Sequence, residues 1–388
     1  MSEAATPVDV AILGAGVSGL CLARALADGP LGDLTVLLVD GARDDDELRT
    51  LSYWASGATA LDDLEARRWT TLHVHDGPRD VTVPLREHSY RTVFFAELQR
   101  AVRRRFEGDP RLRVVDGRAT DLTDGAEAAE FTVGGERVRA RWVFDSRFVR
   151  HELAVDLGRW HLLWQHFHGW IVRAERDAFD PDAAGFLDFR TGLSRGDTFL
   201  YVLPFSKREA LVELVSFAPV DAEAAVARWL GAHAGLRAGE FRFERREAGV
   251  SPMTEQPFAR AAGRRIRRIG VAGGRLKPST GYAVTRILDD CDAIVRSLQR
   301  HGHPFEAPPE GRLYRLLDGV LLELWGARPA AMPAVFAAMF RRGRGDRVLR
   351  FLDERASWGD LVGLVATLPL WPFVWAAARW LWRRLRAR

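Results

Sequence analysis

Near the end of the chain an acidic pair, Asp353 and Glu354, sits inside the apolar phrase Phe351-Leu352-Asp353-Glu354. A carboxylic acid in an apolar setting keeps its proton to higher pH, because desolvation disfavours the charged form, and an adjacent carboxylate can hold or exchange that proton. The pair is therefore a candidate for acid-base work, with Glu354 the first choice for the acid and Asp353 the second. Arg350 and Arg355 flank it, so a charged helix surface is the competing reading, and spacing alone does not choose between them. Two histidines, His166 and His168, alternate with Phe167 in Gln165-His166-Phe167-His168-Gly169-Trp170, which on a strand puts both on one face. They could bind a metal or simply line a polar surface. No cysteine or carboxylate follows at ligand spacing, so no metal site is expected.

The elements that must position these groups begin at the N-terminus. Val8 to Leu13 reads as a strand, Gly14-Ala15-Gly16-Val17-Ser18-Gly19 as a tight turn, and Leu20, Leu22, Ala23 and Leu26 as the face of a helix. In this dinucleotide-binding unit Gly14 permits the turn, Gly16 lets the backbone approach a pyrophosphate, and Gly19 lets helix and strand pack closely. A second strand, Leu34 to Val39, ends in Asp40, placed to bond a ribose hydroxyl. Far downstream a second glycine-rich phrase, Arg268 to Gly274, leads through Lys277-Pro278-Ser279-Thr280-Gly281-Tyr282 into the helical pattern Ile287 to Leu298. Gly273 and Gly274 would let the chain pass close to a bulky ring, and the following helix offers its N-terminus to an anionic edge. A plain strand-turn-helix is the alternative. A unit split in this way resembles that of two-domain flavoproteins, which selects FAD over NAD.

The Phe351 to Glu354, Lys277 to Tyr282 and Gln165 to Trp170 phrases, with Asp188-Phe189-Arg190, Leu203-Pro204-Phe205-Ser206, Glu213 and Gly249 to Thr254, resemble the flavin-dependent lycopene cyclase family over most of the chain. The resemblance implies an α/β flavoprotein with a Rossmann-type FAD-binding domain, a mixed β-sheet substrate domain and a helical C-terminal region. It implies closure of the ends of linear carotenoids, lycopene to β-carotene through γ-carotene, by acid-initiated carbocation chemistry of the isomerase or intramolecular lyase class. FAD is implied in its reduced form, with NADPH as electron donor. Site residues carried over are Glu354 and Asp353 for acid and base, and Gly14, Gly16, Gly19, Asp40, Gly273, Gly274, Lys277 and Gly281 for the cofactor. Leu51 departs from the family, which generally has tryptophan there. Redox flavoenzymes such as monooxygenases, halogenases and polyprenyl reductases share the N-terminal motifs, and cyclisation of another prenyl chain fits the same chemistry. A flavin- or carotenoid-binding protein without catalysis is a further alternative.

A chain of 388 residues exceeds the size at which single cores stop growing. The expected partition is a discontinuous FAD domain, 1–150 plus 245–300, a β-rich substrate domain, 151–244, and a helical region, 301–388. The composition, 47% hydrophobic and 28% charged with both signs interspersed, is that of a folded protein. Two cysteines, Cys21 and Cys291, cannot make a disulfide framework. Without a leader-like N-terminus, the protein is expected in the cytoplasm. The net charge of +4 comes with no recognition motif, so nucleic acid is not an expected partner. Leu361 to Ala378 carries no charge over 18 residues, interrupted by Pro369 and Pro372. With Trp371, Trp375, Trp380 and Trp382, and Arg379, Arg383, Arg384, Arg386 and Arg388, it suits two helical pieces at a lipid surface. Peripheral membrane association fits a lipophilic polyene substrate. The apolar Val320 to Arg342 stretch is the expected mouth for it. Thirteen tryptophans and 21 phenylalanines offer ring faces for a carbocation or fill the core.

Overall fold

The computed structural model describes residues 6–41, 48–193, 196–307, 311–342 and 344–386. The expected terminal contribution of Arg388 lies outside them. In chain order the strands are β1 (Thr6–Leu13), β2 (Val36–Asp40), β3 (Thr50–Ala55), β4 (Glu65–Trp69), β5 (Thr71–His75), β6 (Asp80–Pro84), β7 (Ser89–Phe94), β8 (Leu112–Asp116), β9 (Thr120–Thr123), β10 (Ala129–Val133), β11 (Glu136–Asp145), β12 (Leu163–Ala174), β13 (Ala184–Asp188), β14 (Thr198–Ser206), β15 (Glu209–Ser216), β16 (Phe241–Met253) and β17 (Ile266–Arg268). The helices are α1 (Val17–Asp28), α2 (Phe95–Phe106), α3 (Ala222–His233), α4 (Val284–His301), α5 (Arg312–Ala327), α6 (Met332–Arg342), α7 (Gly345–Leu352), α8 (Trp358–Val365) and α9 (Leu370–Arg386).

The first sheet runs β8-β2-β1-β11-β10-β9, with β17 also on β11. Its centre is parallel: β1 pairs with β2 and β11, β2 with β8, and β11 with β17. β2 is buried at all five positions, as a parallel strand covered on both faces must be. Helices α1, α2 and α4 pack on one face through Leu22, Leu98, Val102 and Ile294, and a second apolar cluster around Phe131 and Leu37 fills the other. This is the α/β cofactor-binding half expected from the glycine turn.

The second sheet, β16-β12-β15-β14-β13-β5-β6, is mostly antiparallel, and the three-stranded β3-β7-β4 is wholly so. Helix α3 covers one face of the second sheet through Val226 and Leu230. The other face meets α5, α6 and α7 through Leu324, Val335, Phe336, Val348 and Leu349. The partition differs from the sequence-based one at two places. β5 and β6, within 1–150, belong to the second sheet, because Leu72, Val74, Val81 and Val83 alternate onto its helix-packed face. β16 starts at Phe241 and pairs with β12 along its whole length, so 245–253 also belongs to that sheet.

The C-terminal helices are tied in by charge as well as packing. His161 is buried; its Nδ1 lies 3.0 Å from Glu255 and its Nε2 2.8 Å from Glu323. Glu323 also accepts from Arg379 of α9 at 2.5 Å. The hydrogen bond from His161, then that from Arg379, holds the Glu323 carboxyl down to about 2. Burial opposes protonation of His161, but its two glutamate partners outweigh burial and raise it above the usual imidazole range.

No single described helix is long and apolar enough to cross a membrane, although α8 and α9, bent by 112° about the 366–369 link, pass that test as a pair. Their outward faces leave Trp358, Val362, Leu370, Trp371, Val374, Leu381, Trp382 and Leu385 exposed, Trp371 by 83%. On α9, residues 371, 374, 381, 382 and 385 fall on one helical face. Two of the four tryptophans expected at a lipid surface turn inward. Arg328 and Arg379 stack on Trp375, while Trp380 approaches Glu255 at 3.3 Å and fills the space over Gly319. The expected mouth at 320–342 is largely core: Trp325 and Phe336 are buried, ring centroids 5.8 Å apart.

Candidate active site

The glycine turn has three distinct geometries. Gly14 has φ +99°, and a Cβ there would meet the Ser146 Oγ at 2.6 Å. That hydroxyl lies within hydrogen-bonding reach of the Leu13 and Gly14 carbonyls. Gly19 is where α1 crosses β1, with a Cβ position 2.0 Å from the Gly14 carbonyl oxygen. Gly16 differs: nothing lies within 4 Å of its Cβ position, and it heads α1 with no side-chain cap. Open space in front of uncapped helix N–H groups fits a pyrophosphate. Asp40, buried at the end of β2, fits a ribose, and Arg103 steadies its carboxylate at 3.2 Å.

The distal phrase closes on this unit. Gly270, with φ +61° and a Cβ position 2.3 Å from the Ser18 Oγ, seats the turn on α1. The Cβ positions of Gly273 and Gly274 are taken by the Arg268 carbonyl and the Phe258 ring. These two glycines therefore serve their own turn, whereas the sequence reading expected them to let the chain pass close to a bulky ring. Gly281 does face a cavity: it has φ +79°, and a Cβ would meet the Gln165 Oε1 at 2.2 Å.

That cavity, about 290 Å³, lies between the start of α1 at Val17, the start of α4 at Val284, and the inner face of the second sheet. Four aromatic side chains, Tyr90, Phe167, Tyr201 and Tyr282, line it, and Leu51 forms part of its wall. The Tyr90 and Tyr282 hydroxyls meet at 3.0 Å, and Trp54 packs on Tyr282 at 4.4 Å. Burial keeps these tyrosines neutral by pushing their phenols up. The Gly16 end of α1 would hold the pyrophosphate of a flavin dinucleotide, and the N-terminus of α4, which has no side-chain cap, would be available to its ring at the chamber wall.

The cavity's acid is Glu213. Register places Glu247 of β16 and Glu213 of β15 on either side of Gly169 of β12, with Tyr201 of β14 next in the row. Because directly paired residues share a face, all four look toward the same side. Gly169 creates the room, since a Cβ there would lie 3.1 Å from the Glu247 Oε1. Burial, then the charge of Glu247, pushes the Glu213 carboxyl well above its usual range. Burial also pushes Glu247 up to about 7, although it accepts from the Thr50 N–H at 2.7 Å and the Thr50 hydroxyl at 2.8 Å. A cavity-facing carboxyl raised in this way is a candidate proton donor. The signal in the sequence was a single carboxylate within the apolar strand Ala210 to Ser216.

The Asp353–Glu354 pair is elsewhere. Helix α7 ends at Leu352, and Glu354 takes the left-handed conformation, φ 61°. Its carboxylate accepts from Lys277 at 2.9 Å and Arg286 at 2.5 Å. Burial opposes ionisation, but these two cations outweigh it and hold Glu354 below its usual range. These contacts make it an ion-paired latch, whereas the sequence reading expected an acid surrounded by apolar groups. Lys277, expected at the cofactor, spends its ammonium on Glu354 and on buried Asp318 at 2.7 Å. Asp353 accepts from Thr285 at 3.0 Å, and burial pushes it up to about 6. Neither carboxylate lines the cavity. His166 and His168 share the sheet face opposite Phe167, away from the cavity; burial lowers His166, with Arg150 and His168 adding to the effect.

The sequence model of the family described as lycopene cyclase protein matches residues 9–378. The chain belongs to the lycopene cyclase family. A curated relative, the chloroplastic lycopene beta cyclase of Arabidopsis thaliana, is 24% identical over 349 residues, covering 82% of this chain. The matched region spans 64% of that relative's length. Among solved structures the chain is similar to the flavin-dependent brominase Bmp2, with 16% identity, a TM-score of 0.62, and 93% and 98% of the two chains covered. It is also similar to a geranylgeranyl bacteriochlorophyll reductase-like protein of Thermoplasma acidophilum, with 13% identity, a TM-score of 0.56, and 95% and 98% covered. Both likenesses are of fold: this lycopene cyclase family member has the two-domain flavoprotein architecture.

Proposed function

We propose that this family member is a FAD-dependent, non-redox cyclase of linear carotenoid ends, with lycopene as substrate and β-carotene as product through γ-carotene. The observation that supports it most is a neutral, cavity-facing Glu213 backed by Glu247 in a chamber walled by aromatic rings. A hydrocarbon end has no polar handle, so ring closure starts with a proton. Glu213 gives its proton to a terminal double bond, leaving a tertiary carbocation and a Glu213 carboxylate. The next alkene attacks the cation, forming the ring and a new cation, and loss of a proton from the ring carbon to a carboxylate of the pair restores the acid. Atoms balance: the proton gained equals the proton lost, and substrate and product are isomers.

The faces of Tyr90, Tyr201, Tyr282 and Phe167 stabilise the cation without capturing it, at about 0.5–2 kcal/mol for each well-placed ring. Reduced FAD, held by the Gly14–Gly19 turn, Asp40 and the α4 N-terminus, would supply an electron-rich ring beside the developing charge. NADPH is the proposed electron donor.

We place the protein peripherally on the cytoplasmic side of a membrane, docked through the exposed faces of α8 and α9. A groove of about 240 Å³ between Ala334, Ala337 and Ala338 of α6 and the Thr367–Pro369 link opens beside them and suits the approach of a polyene from lipid.

The test is expression in lycopene-accumulating cells with the pigments resolved by chromatography and mass spectrometry. Ringed products of unchanged mass support the reading. Products that gain oxygen, halogen or hydrogen would replace it with a redox reaction on the same fold, and untouched lycopene beside an altered non-carotenoid prenyl chain would change the substrate.

A further inference from the structure

The hairpin β5–β6 carries a side-chain cluster away from the cavity. β5 alternates: Leu72 and Val74 enter the core, and His73 and His75 project from the other face of the sheet. Asp80 of β6 pairs directly with His75, so it shares that face. The Asp80 Oδ1 lies 3.1 Å from the His73 Nδ1 and 3.6 Å from the His75 Nδ1. The two imidazoles stand nearly parallel, 11° apart in plane, with centroids 6.0 Å apart.

We propose that His73, His75 and Asp80 form a binding site for a borderline divalent cation of the Zn²⁺ type. Two histidines at i and i+2 on one strand with a third ligand from the neighbouring strand make a tripod with one open position. At Zn–N and Zn–O bonds of about 2.0–2.1 Å, the edge of a tetrahedron is about 3.3 Å. The two distances to Asp80 bracket that edge, and all three ligand atoms lie within 4.8 Å of one another. Asp80 is half exposed, which leaves the fourth position to water.

Asp188 is not a fourth ligand, because its carboxylate is occupied by Arg190 at 2.6 Å and by the Trp229 Nε1 at 2.9 Å. That internal ion pair adds no net charge beside the site. The ion would pin β6, which ends the sheet, to β5.

The test uses full-length, FAD-loaded, tag-free protein treated with chelator and then titrated with Zn²⁺ in a calorimeter, with melting followed by circular dichroism. The wild type is expected to take up one equivalent and melt higher with the ion. His73→Asn/His75→Asn and, separately, Asp80→Asn are expected to lose affinity by more than about 100-fold, the upper range for loss of a mere outer-shell partner. Their ion-free circular dichroism spectra should match the wild type, because the core positions Leu72 and Val74 of the hairpin are untouched. His301→Asn/His303→Asn, at a second stacked imidazole pair, is expected to bind as the wild type does. No uptake by the wild type, uptake undiminished in the His73/His75 variant, or loss confined to the His301/His303 variant would each overturn the proposal.

Discussion

Replacing Glu247 by glutamine separates a proton-holding pair from an ordinary buried hydrogen bond, because it changes how stability varies with pH. The carboxyl is pushed from 4.5 to about 7 in the folded protein. An acid raised on folding makes the native state bind more protons than the unfolded state between those two values, so stability falls as pH rises through that window. Below 4.5 both states are protonated and there is no penalty; above about 7 it is complete. A shift of about 2.5 units at 1.36 kcal/mol each is roughly 3 kcal/mol. Glutamine keeps the shape and cannot ionise, so the variant should lose this dependence. Relative to the wild type, Glu247→Gln should gain about 3 kcal/mol on going from pH 4 to pH 8, whatever constant amount it loses through a weaker bond to Thr50. Urea unfolding of both proteins across that range measures the difference directly. A flat difference curve, or one that falls toward pH 8, would refute the claim that burial holds the proton here.

Further outcomes follow from other contacts. Glu213→Gln should leave the fold and flavin retention intact while lowering cyclisation by about 10²- to 10⁴-fold, the usual contribution of a general acid, as read from pigment turnover. Glu354→Gln should instead cost about 1.5–3 kcal/mol through its weakened bonds to Lys277 and Arg286, with turnover of the folded fraction largely kept. Gly16→Val should leave melting unchanged, since its Cβ position is open, but reduce flavin retention; Gly19→Ala, 2.0 Å from a carbonyl oxygen, should destabilise the protein itself. Because His161 is raised in the fold, its stabilising contribution is full below pH 6.5 and is lost as pH rises through the higher folded value, so α9 should release first under mild alkali, as limited proteolysis would show.

The cofactor half was legible because its constraints are local. The Gly14–Gly19 turn, the apolar β1 and the acid at Asp40 follow from backbone geometry within one strand-turn-helix unit. The substrate sheet was legible as strands, since Leu163–Ala174 and Glu209–Ser216 alternate or run apolar, but its membership was not. β5, β6 and β16 join it through pairings between residues far apart in sequence. The environment of each acid was hidden for the same reason. Whether a carboxylate is neutral or ionised depends on what packs against it: Glu354 meets Lys277 and Arg286 from distant segments, whereas Glu213 meets burial and another acid. Within Phe351-Leu352-Asp353-Glu354 the two acids part: burial raises Asp353, as an apolar setting implies, while Lys277 and Arg286 satisfy Glu354. Gly169 was visible only as a member of a strand phrase, and its purpose, making room between two glutamates, appears only once the register is known. At α9 the tryptophans read as one interfacial set, but helical phase divides them, turning Trp375 and Trp380 inward and leaving Trp371 and Trp382 outside.

The central claim is that a proton from a protein carboxylic acid opens the reaction and that a proton closes it. Turnover in heavy water, with the product analysed by mass spectrometry, tests this most directly. The acid exchanges with solvent, so each ring formed should carry one deuteron in place of one hydrogen lost, and the product should otherwise remain an isomer of the substrate. Rings formed without deuterium, or a product whose mass reports a gain or loss of two hydrogens or of oxygen, would contradict it.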